Sequence, residues 1–214
     1  MNQVVLGSVN GTGKPARGSS AEALIAATAD ILSERSTLDV SLSEIAKRSN
    51  LNSALIKYHF GNKDGLLMAL LERDAEKAMG ALEQLVGMPI PADQKLRIHI
   101  SGIINAYFRS PYLNRLIHYM IERGNEEASA QVAEIFIAPM IEAYRAIIRQ
   151  GVEENTIRPV DPHFLYLSLV GACDHLFHTT RSVRELLGIG SITEEVKQQY
   201  TAHATDLILR GLRV

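Results

Sequence analysis

Apolar residues recur at helical spacing from Ser19 onward, and the first such stretch predicts an amphipathic helix. Leu24, Ala27, Ile31 and Leu32 stand at positions i, i+3, i+7 and i+8, so they share one face of a helix. A stripe of this kind buries one face of a helix against a core.

A capping box predicts the start of a second, short helix at residues 41–44 (SLSE). The hydroxyl of Ser41 can accept a hydrogen bond from the backbone N–H of Glu44, and the Glu44 carboxylate can accept one from the backbone N–H of Ser41. The helix is expected to cover about residues 42–48, with Ile45 turned inward.

Three asparagines and a glycine mark the expected turns and helix ends of the next stretch. Asn50 tolerates a positive φ and so allows a tight turn after the second helix. Asn52 is expected to cap a third helix that Gly61 ends. Asn62 is expected to cap a long fourth helix over about residues 63–86.

The rest of the chain keeps the helical period, and strand patterns are nearly absent. Pro139 is expected at a helix start, because in a helix middle its ring would clash with the preceding turn. After a break at 87–91, the pattern predicts helices at about 93–109, 112–123, 128–137, 139–153, 162–179 and 193–212. The predicted fold is all-α, with a flexible arm at 1–18, a three-helix domain at 19–66, and a second helical domain at 67–214 entered through the long fourth helix.

Composition and charge are those of an ordinary globular protein. The 214 residues are 46% hydrophobic and 21% charged, and the formal net charge of −2 excludes a general polyanion binder. The single Cys173 cannot form an internal disulfide, which is typical of a reducing cytosol. Neither a signal peptide nor an apolar run long enough to span a membrane is evident, so the chain is predicted to be cytoplasmic.

Helices two and three, joined by a four-residue turn, form a predicted helix-turn-helix, whose second helix can enter the DNA major groove. On that helix Ser53 and Ala54 are small, while Lys57 is long enough to reach a base edge or a phosphate. Tyr58 and His59 follow where phosphates flank a groove.

The charges around this motif agree with a DNA contact. Residues 45–63 contain Lys47, Arg48, Lys57 and Lys63 but no Asp or Glu, so the basic character is a local patch. The alternative is a solvated face of a small helical bundle. The glycine-rich arm at its amino-terminal side is either a floppy terminus or a segment that follows a DNA groove.

The run SLSEIAKRSNLNSALIKYHFGNKDGLL resembles the DNA-binding domain of the tetracycline-repressor (TetR) family of transcription regulators. Ile45-Ala46, Tyr58-His59-Phe60 and Asn62-Lys63-Asp64 match that family's pattern. Asn50 stands where the turn usually has glycine, and Lys57 stands where tyrosine is frequent. The resemblance implies a ligand-responsive DNA-binding regulator, a repressor that a small, mostly apolar effector releases from a palindromic operator.

The resemblance also implies roles for individual residues of the motif. Phosphates would be held by Ser41, Tyr58, His59 and Lys63. Bases would be faced by Ser43, Ser53, Leu55 and Lys57, and Asn52 belongs to the same expected DNA-binding set.

The second domain is expected to bind the effector and to form a homodimer. Polar interruptions in apolar helices nominate the effector-binding residues Tyr107, Phe108, His118, Tyr119, Glu122, Phe136, Met140, Tyr144, Asp174, His175, Phe177 and His178. Helical repeats nominate the dimer-interface residues Leu165, Leu169, Ala172, Leu176, Val196, Tyr200, His203, Ala204, Leu207 and Ile208. The alternative is that both sets are ordinary core faces within one chain.

Two other chemistries are alternatives to this interpretation. Asp174, His175 and His178 are of metal-ligand type, but no second ligand cluster is visible in the sequence, so neither a metal nor a cofactor is predicted. An all-α enzyme would need a nucleophile–base pair, for which Cys173 and His175 lack a third, orienting group. A helical interaction module that does not bind DNA is the third alternative.

Overall fold

The computed structural model describes residues 18–214, and the expected arm at 1–18 lies outside this part of the chain except for Gly18. The described residues form an all-α structure, as predicted, and contain no strand. The helices are α1 (Ser19–Ser33), α2 (Leu42–Ser49), α3 (Ala54–Phe60), α4 (Lys63–Gly87), α5 (Ala92–Arg109), α6 (Pro111–Glu122), α7 (Glu126–Val132), α8 (Ala138–Glu153), α9 (Pro162–His178), α10 (Arg181–Leu186) and α11 (Glu194–Leu212).

The capping box at the start of α2 is confirmed. The Ser41 hydroxyl accepts a hydrogen bond from the N–H of Glu44, and the Glu44 carboxylate accepts one from the N–H of Ser41 at 2.8 Å. The helix ends at Asn50, which adopts the left-handed conformation with φ of 55°, so the predicted turn is also confirmed.

Side-chain caps also position α3 and α4. Asn52 Oδ1 accepts a hydrogen bond from the N–H of Ala54 at 2.8 Å, and Asn62 Oδ1 accepts one from the N–H of Gly65 at 2.8 Å. Between the two helices Gly61 has φ of +76°, a region that side chains with a Cβ rarely occupy. The angle between α3 and α4 is therefore fixed by local backbone chemistry.

The structure differs from the predicted break at residues 137–139. A π-helical turn at Ala133–Ile137 joins α7 directly to α8, and Pro139 lies in the first turn of α8, as expected. Because proline has no N–H to donate, the wider π turn next to it lets the chain continue without a loop. The short helix α10 was not predicted, because its six residues are too few to show a clear helical period.

One continuous apolar core runs from Leu24 in α1 to Leu212 at the end of α11. In the second domain α5 packs against α8, α9 and α11, and α4 links this bundle to the first domain through contacts with α1, α3 and α8. None of the helices in the described part of the chain combines the length and apolar character needed to cross a lipid bilayer.

Candidate nucleic-acid interface

Helix α3 presents one buried face and one solvated face. Ile56 is fully buried, and Phe60 packs against the same core, so both hold the helix in place. Ser53, Lys57 and Tyr58 are exposed, and 79% of the Tyr58 side chain is accessible to solvent. Lys57 and Tyr58 therefore lie side by side on the solvent-facing side of α3.

His59 differs from its expected role as a simple phosphate contact. Its Nε2 lies 2.9 Å from the hydroxyl oxygen of Ser20 in α1, so one ring nitrogen is already used to hold α3 against α1. The His59 ring also packs edge-on against Tyr58, with the ring centroids 4.9 Å apart. His59 thereby supports the exposed tyrosine from behind.

Ser41 and Ser43 lie together at the start of α2, with their hydroxyl oxygens 3.0 Å apart. Both are exposed, although the Ser41 hydroxyl is also bound to Glu44. Arg35 donates a hydrogen bond to Glu44 at 2.6 Å, which, with the hydrogen bonds from Ser41, lowers the pKa of Glu44 to about 2. This carboxylate therefore stays ionised and the cap stays closed at neutral pH.

The basic patch is smaller than its sequence suggests. Arg48 forms two hydrogen bonds to Glu34, at 2.9 and 2.8 Å, so its charge is neutralised within the domain. Within residues 18–214, Lys47 and Lys57 form no ion pair, and both are exposed. The positive charge available to a polyanion therefore lies on α3 and on the outer side of α2.

The remaining expected contacts are divided between core and surface. Leu55 packs partly against the core, which limits the apolar contact it can offer to a base. Asn52 is exposed, while its side-chain oxygen caps α3. Lys63 is the first residue of α4, next to free backbone N–H groups that favour an anion.

A large open cavity, here called the interdomain groove, lies between the end of α3 and helices α4, α6 and α7. It encloses about 1480 Å³ and has Met68, Met79, Met120 and Ile135 among its apolar lining residues. Tyr58, His59 and Phe60 line its other side, so the groove reaches the back of the candidate DNA-binding helix.

The expected effector residues do not converge on this groove, and Tyr119 is the member of the set that lines it. Tyr107, Phe136, Met140 and Tyr144 are buried in the core instead. The effector-binding set therefore stays a prediction, because helical spacing does not distinguish a core face from a pocket wall. The Met68–Met79 spacing of three turns on α4 is the sequence signal that was missed.

The remaining members of the set lie elsewhere. Phe108 has the Lys197 ammonium 4.8 Å from its ring centroid, and the Phe177 ring packs against Tyr107 at 5.7 Å. His175 is exposed. A further group faces the space between α6 and α9 and consists of His118, Glu122, Asp174 and His178.

Helix α6 connects the two domains. Arg115 donates hydrogen bonds to the backbone carbonyls of Arg35, at 2.7 Å, and of Leu32, at 3.3 Å. Four residues further on, the Tyr119 hydroxyl donates a hydrogen bond to Asp64 at 3.2 Å. Movement of α6 would therefore be transmitted to the end of α1 and to the start of α4.

Several expected dimer-interface residues are already covered within one chain. Leu165, Leu169, Leu176 and Ala204 are buried, so for these four the prediction of an outward face is wrong. Ala172, Val196, Tyr200 and Ile208 are half-buried, whereas His203 and Leu207 are exposed. The outward apolar face is shifted along α9 and α11, and Phe164, Leu167 and Leu207 are 70%, 64% and 64% exposed.

Cys173 does not have the surroundings of a nucleophile. It is fully buried, and this burial, with a smaller contribution from Asp174, raises the pKa of the thiol to about 12. A thiol in this state is almost entirely protonated at neutral pH.

The fold and the site together define a regulator that binds DNA. They comprise helix-turn-helix geometry, an exposed basic and aromatic recognition face, and a separate helical domain with a groove. Sequence comparison identifies its family. Residues 24–70 match the profile for bacterial regulatory proteins of the tetR family, and residues 89–214 match the tetracyclin repressor-like C-terminal domain. The chain belongs to the tetR family and is a ligand-responsive, DNA-binding transcription regulator.

Relatives and solved structures agree with this assignment. The HTH-type transcriptional repressor Rv3405c of Mycobacterium tuberculosis is 36% identical over 67% of this chain and 90% of its own length. The HTH-type transcriptional repressor NicS of Pseudomonas putida is 21% identical over 89% of this chain and 91% of its own length. The transcriptional regulator FadR from Bacillus subtilis, solved in complex with stearoyl-CoA, has the same fold, with a TM-score of 0.70, 16% identity, and coverage of 90% of this chain and 99% of its own.

Proposed function

We propose that this regulator is a repressor whose α3 helix reads the operator in the major groove. The observation that carries the proposal is the exposure of Lys57 and Tyr58 on a helix whose other face is buried at Ile56. Ser53 and Ala54 let the backbone approach the bases closely, and Lys57 reaches a base edge. Tyr58 and Lys63 contact phosphates, together with the exposed hydroxyl of Ser41, and Ser43 faces the bases.

Fluorescence anisotropy with labelled DNA from upstream of the protein's own gene tests these roles. Lys57→Ala should weaken binding to the preferred sequence by about 5- to 150-fold. It should have a smaller effect on binding to sequences that are changed at the base Lys57 contacts. Lys63→Ala should weaken binding to all sequences alike, and it should reduce the slope of log affinity against log salt concentration by about 1. Lys77→Ala, an exposed lysine further along α4, is the matched control and should change neither.

Two outcomes would contradict the proposal. Failure of the wild type to bind any upstream fragment at low salt would exclude operator binding. Equal, sequence-independent losses from Lys57→Ala and Lys63→Ala would refute the division between base and phosphate contacts. Tyr58→Phe tests the proposed phosphate contact of Tyr58 independently, because it removes a single exposed hydroxyl and leaves the core untouched.

The operator is proposed to be read by a homodimer formed through the outer faces of α9 and α11. Phe164, Leu167 and Leu207 expose apolar surface there that a second copy would cover. Two α3 helices about 34–36 Å apart would then read the two halves of a near-palindrome.

Size-exclusion chromatography with light scattering measures this association. Leu167→Asp should give a monomer and weaken operator binding, while Val152→Asp, an exposed apolar position at the end of α8, should leave the mass unchanged. A dimer of unaltered stability in Leu167→Asp would exclude this face.

The effector is proposed to bind in the interdomain groove, whose methionines and aromatic rings suit a mostly apolar molecule. A ligand there contacts the end of α3 and the inner face of α6. It would favour a state of the dimer with wrongly spaced recognition helices, and so release the operator. The stearoyl-CoA bound by the structural relative FadR shows an apolar chain held by a protein of this fold.

A reporter tryptophan can locate the effector, because the chain contains no tryptophan of its own. Apolar compounds that raise the melting temperature are selected first, and those that also release operator DNA are carried forward. Such compounds should change the emission of Met79→Trp, inside the groove, and not that of Met88→Trp, at the exposed end of α4. Effectors that change neither emission would place the site elsewhere.

A further inference from the structure

Two pairs of potential metal ligands face each other across helices α6 and α9. His118 and Glu122 are four residues apart on α6, and Asp174 and His178 are four residues apart on α9. Residues at this spacing share one face of a helix, so Asp174 and His178 both lie towards His118 of α6, and Glu122 lies beside His118. In the sequence the two pairs are more than 50 residues apart, which is why no cluster was visible there.

We propose that His118, Asp174 and His178 form a binding site for a divalent transition-metal ion. Their ligand atoms all lie within 4.8 Å of one another. The His118 Nε2 is 3.1 Å from the Asp174 Oδ2, and the rings of His118 and His178 have their centroids 4.4 Å apart. Ligands of a tetrahedral zinc ion are about 3.3 Å apart, from bond lengths of about 2.0–2.2 Å. Small rotations of these side chains would reach that geometry.

The ligand set selects the class of metal. Two imidazoles and one carboxylate suit Zn²⁺ and its first-row neighbours, whereas Mg²⁺ and Ca²⁺ prefer sites made entirely of oxygen. Cys173 does not join the set, because its side chain is buried in the core and its sulfur is not among the ligand atoms that converge there.

Glu122 has the position of an outer partner that orients a metal-bound histidine. Its Oε1 lies 3.8 Å from the Nδ1 of His118, on the opposite side of the ring from Asp174. If Nε2 binds the metal, Nδ1 carries the proton and points towards this carboxylate, an arrangement common around bound zinc. Three protein ligands leave one position for water or for a polar group of a small molecule.

An ordinary ion pair explains this cluster less completely. Contacts of His118 with the carboxylates of Asp174 and Glu122 account for three of the four side chains. They do not account for the second imidazole, that of His178, whose ring centroid lies 4.4 Å from that of His118. A divalent cation is attracted to both neutral imidazoles and to both carboxylates, so it accounts for all four.

The site sits on the helix that connects the domains. His118 lies between Arg115, which holds the end of α1, and Tyr119, which holds the start of α4. A metal ion would tie this part of α6 to α9. Metal binding at this site does not depend on DNA binding and is measured without DNA.

Isothermal titration of the metal-free, full-length protein with ZnCl₂ tests the proposal, with Co²⁺ absorption as a second probe of the coordination. The wild type should bind one ion per chain, with cobalt bands typical of a four-coordinate site. His178→Ala removes an exposed side chain and should lower zinc affinity by more than about 100-fold, and Asp174→Asn should also weaken it. Glu122→Gln should lower affinity by about 10- to 100-fold, as expected for an outer partner.

His175→Ala is the matched control, because His175 is an exposed histidine on the same helix and outside the cluster. It should bind zinc like the wild type. The proposal is overturned if the wild type binds no zinc in a 1:1 ratio, or if His178→Ala and His175→Ala have the same affinity. In the first case the cluster is an ion pair. In the second, zinc binds at dispersed surface histidines.

Discussion

Gly65 provides a sharp test of how α3 is held against α4. A Cβ built on Gly65 would approach the carbonyl oxygen of Phe60, the last residue of α3, far inside van der Waals contact. That oxygen belongs to the backbone, so no side-chain rotation can relieve the clash. Gly65→Ala therefore requires α3 or the first turn of α4 to move.

The sign of the change in stability shows whether the tertiary contact or the helix propensity dominates. In a helix interior, replacing glycine by alanine stabilises by about 0.8–1.0 kcal/mol. Gly80 lies in the same helix with open space around its would-be Cβ, so Gly80→Ala should follow this rule. At Gly65, overpacking costs about 1–3 kcal/mol and outweighs any gain in propensity.

Thermal unfolding followed by circular dichroism measures both variants. For a chain of this size about 1 kcal/mol corresponds to about 2–4 °C, so Gly80→Ala should raise the melting temperature by about 2–4 °C. Gly65→Ala should lower it by up to about 8 °C and should weaken operator binding, since α3 is displaced. Equal increases in both variants would refute the reasoning.

Three further predictions concern individual contacts. Burial lowers the pKa of His99 to about 4, whereas a histidine in the unfolded chain titrates near pH 6.5, so protonation favours the unfolded chain. The free energy of unfolding should therefore fall by about 3 kcal/mol between pH 6.5 and 4 in the wild type, and by less in His99→Gln. Asn50→Ala should destabilise by about 1 kcal/mol, and Asn50→Gly by little, because Asn50 has φ of 55°. Tyr112→Phe removes the hydrogen bond donated to Asp74 at 2.6 Å and should cost about 1–3 kcal/mol in chemical denaturation. An unchanged free energy of unfolding in Asn50→Ala or in Tyr112→Phe would contradict the corresponding contact, and so would an equal pH dependence of the wild type and His99→Gln.

The all-α class and the helix-turn-helix could be predicted because their signals are local. The capping box at Ser41 and the turn at Asn50 involve residues close together in the chain, and their chemistry depends little on the rest of the fold. The helix boundaries of the second domain followed from prolines and from the 3.6-residue period. The exceptions were the π turn before Pro139 and the short α10.

Tertiary structure decided which side of each periodic helix meets another helix. Leu165 and Leu169 follow the same period as an interface would, yet they are buried within the chain, while Phe164 and Leu167 face outward. Periodicity shows that a helix has an apolar stripe, but what covers the stripe depends on helices distant in sequence.

The same distinction between local sequence and long-range packing applies to the functional side chains. The exposure of Lys57 and Tyr58 could be predicted from a single short helix. The pairing of Arg48 with Glu34 and of His59 with Ser20 required α1 in place. The convergence of His118 with Asp174 likewise exists only once α6 packs beside α9. Local sequence therefore determined the elements and the recognition motif. Long-range packing determined the groove, the outward face and the cluster between α6 and α9, because each is built from side chains that only the folded chain brings together.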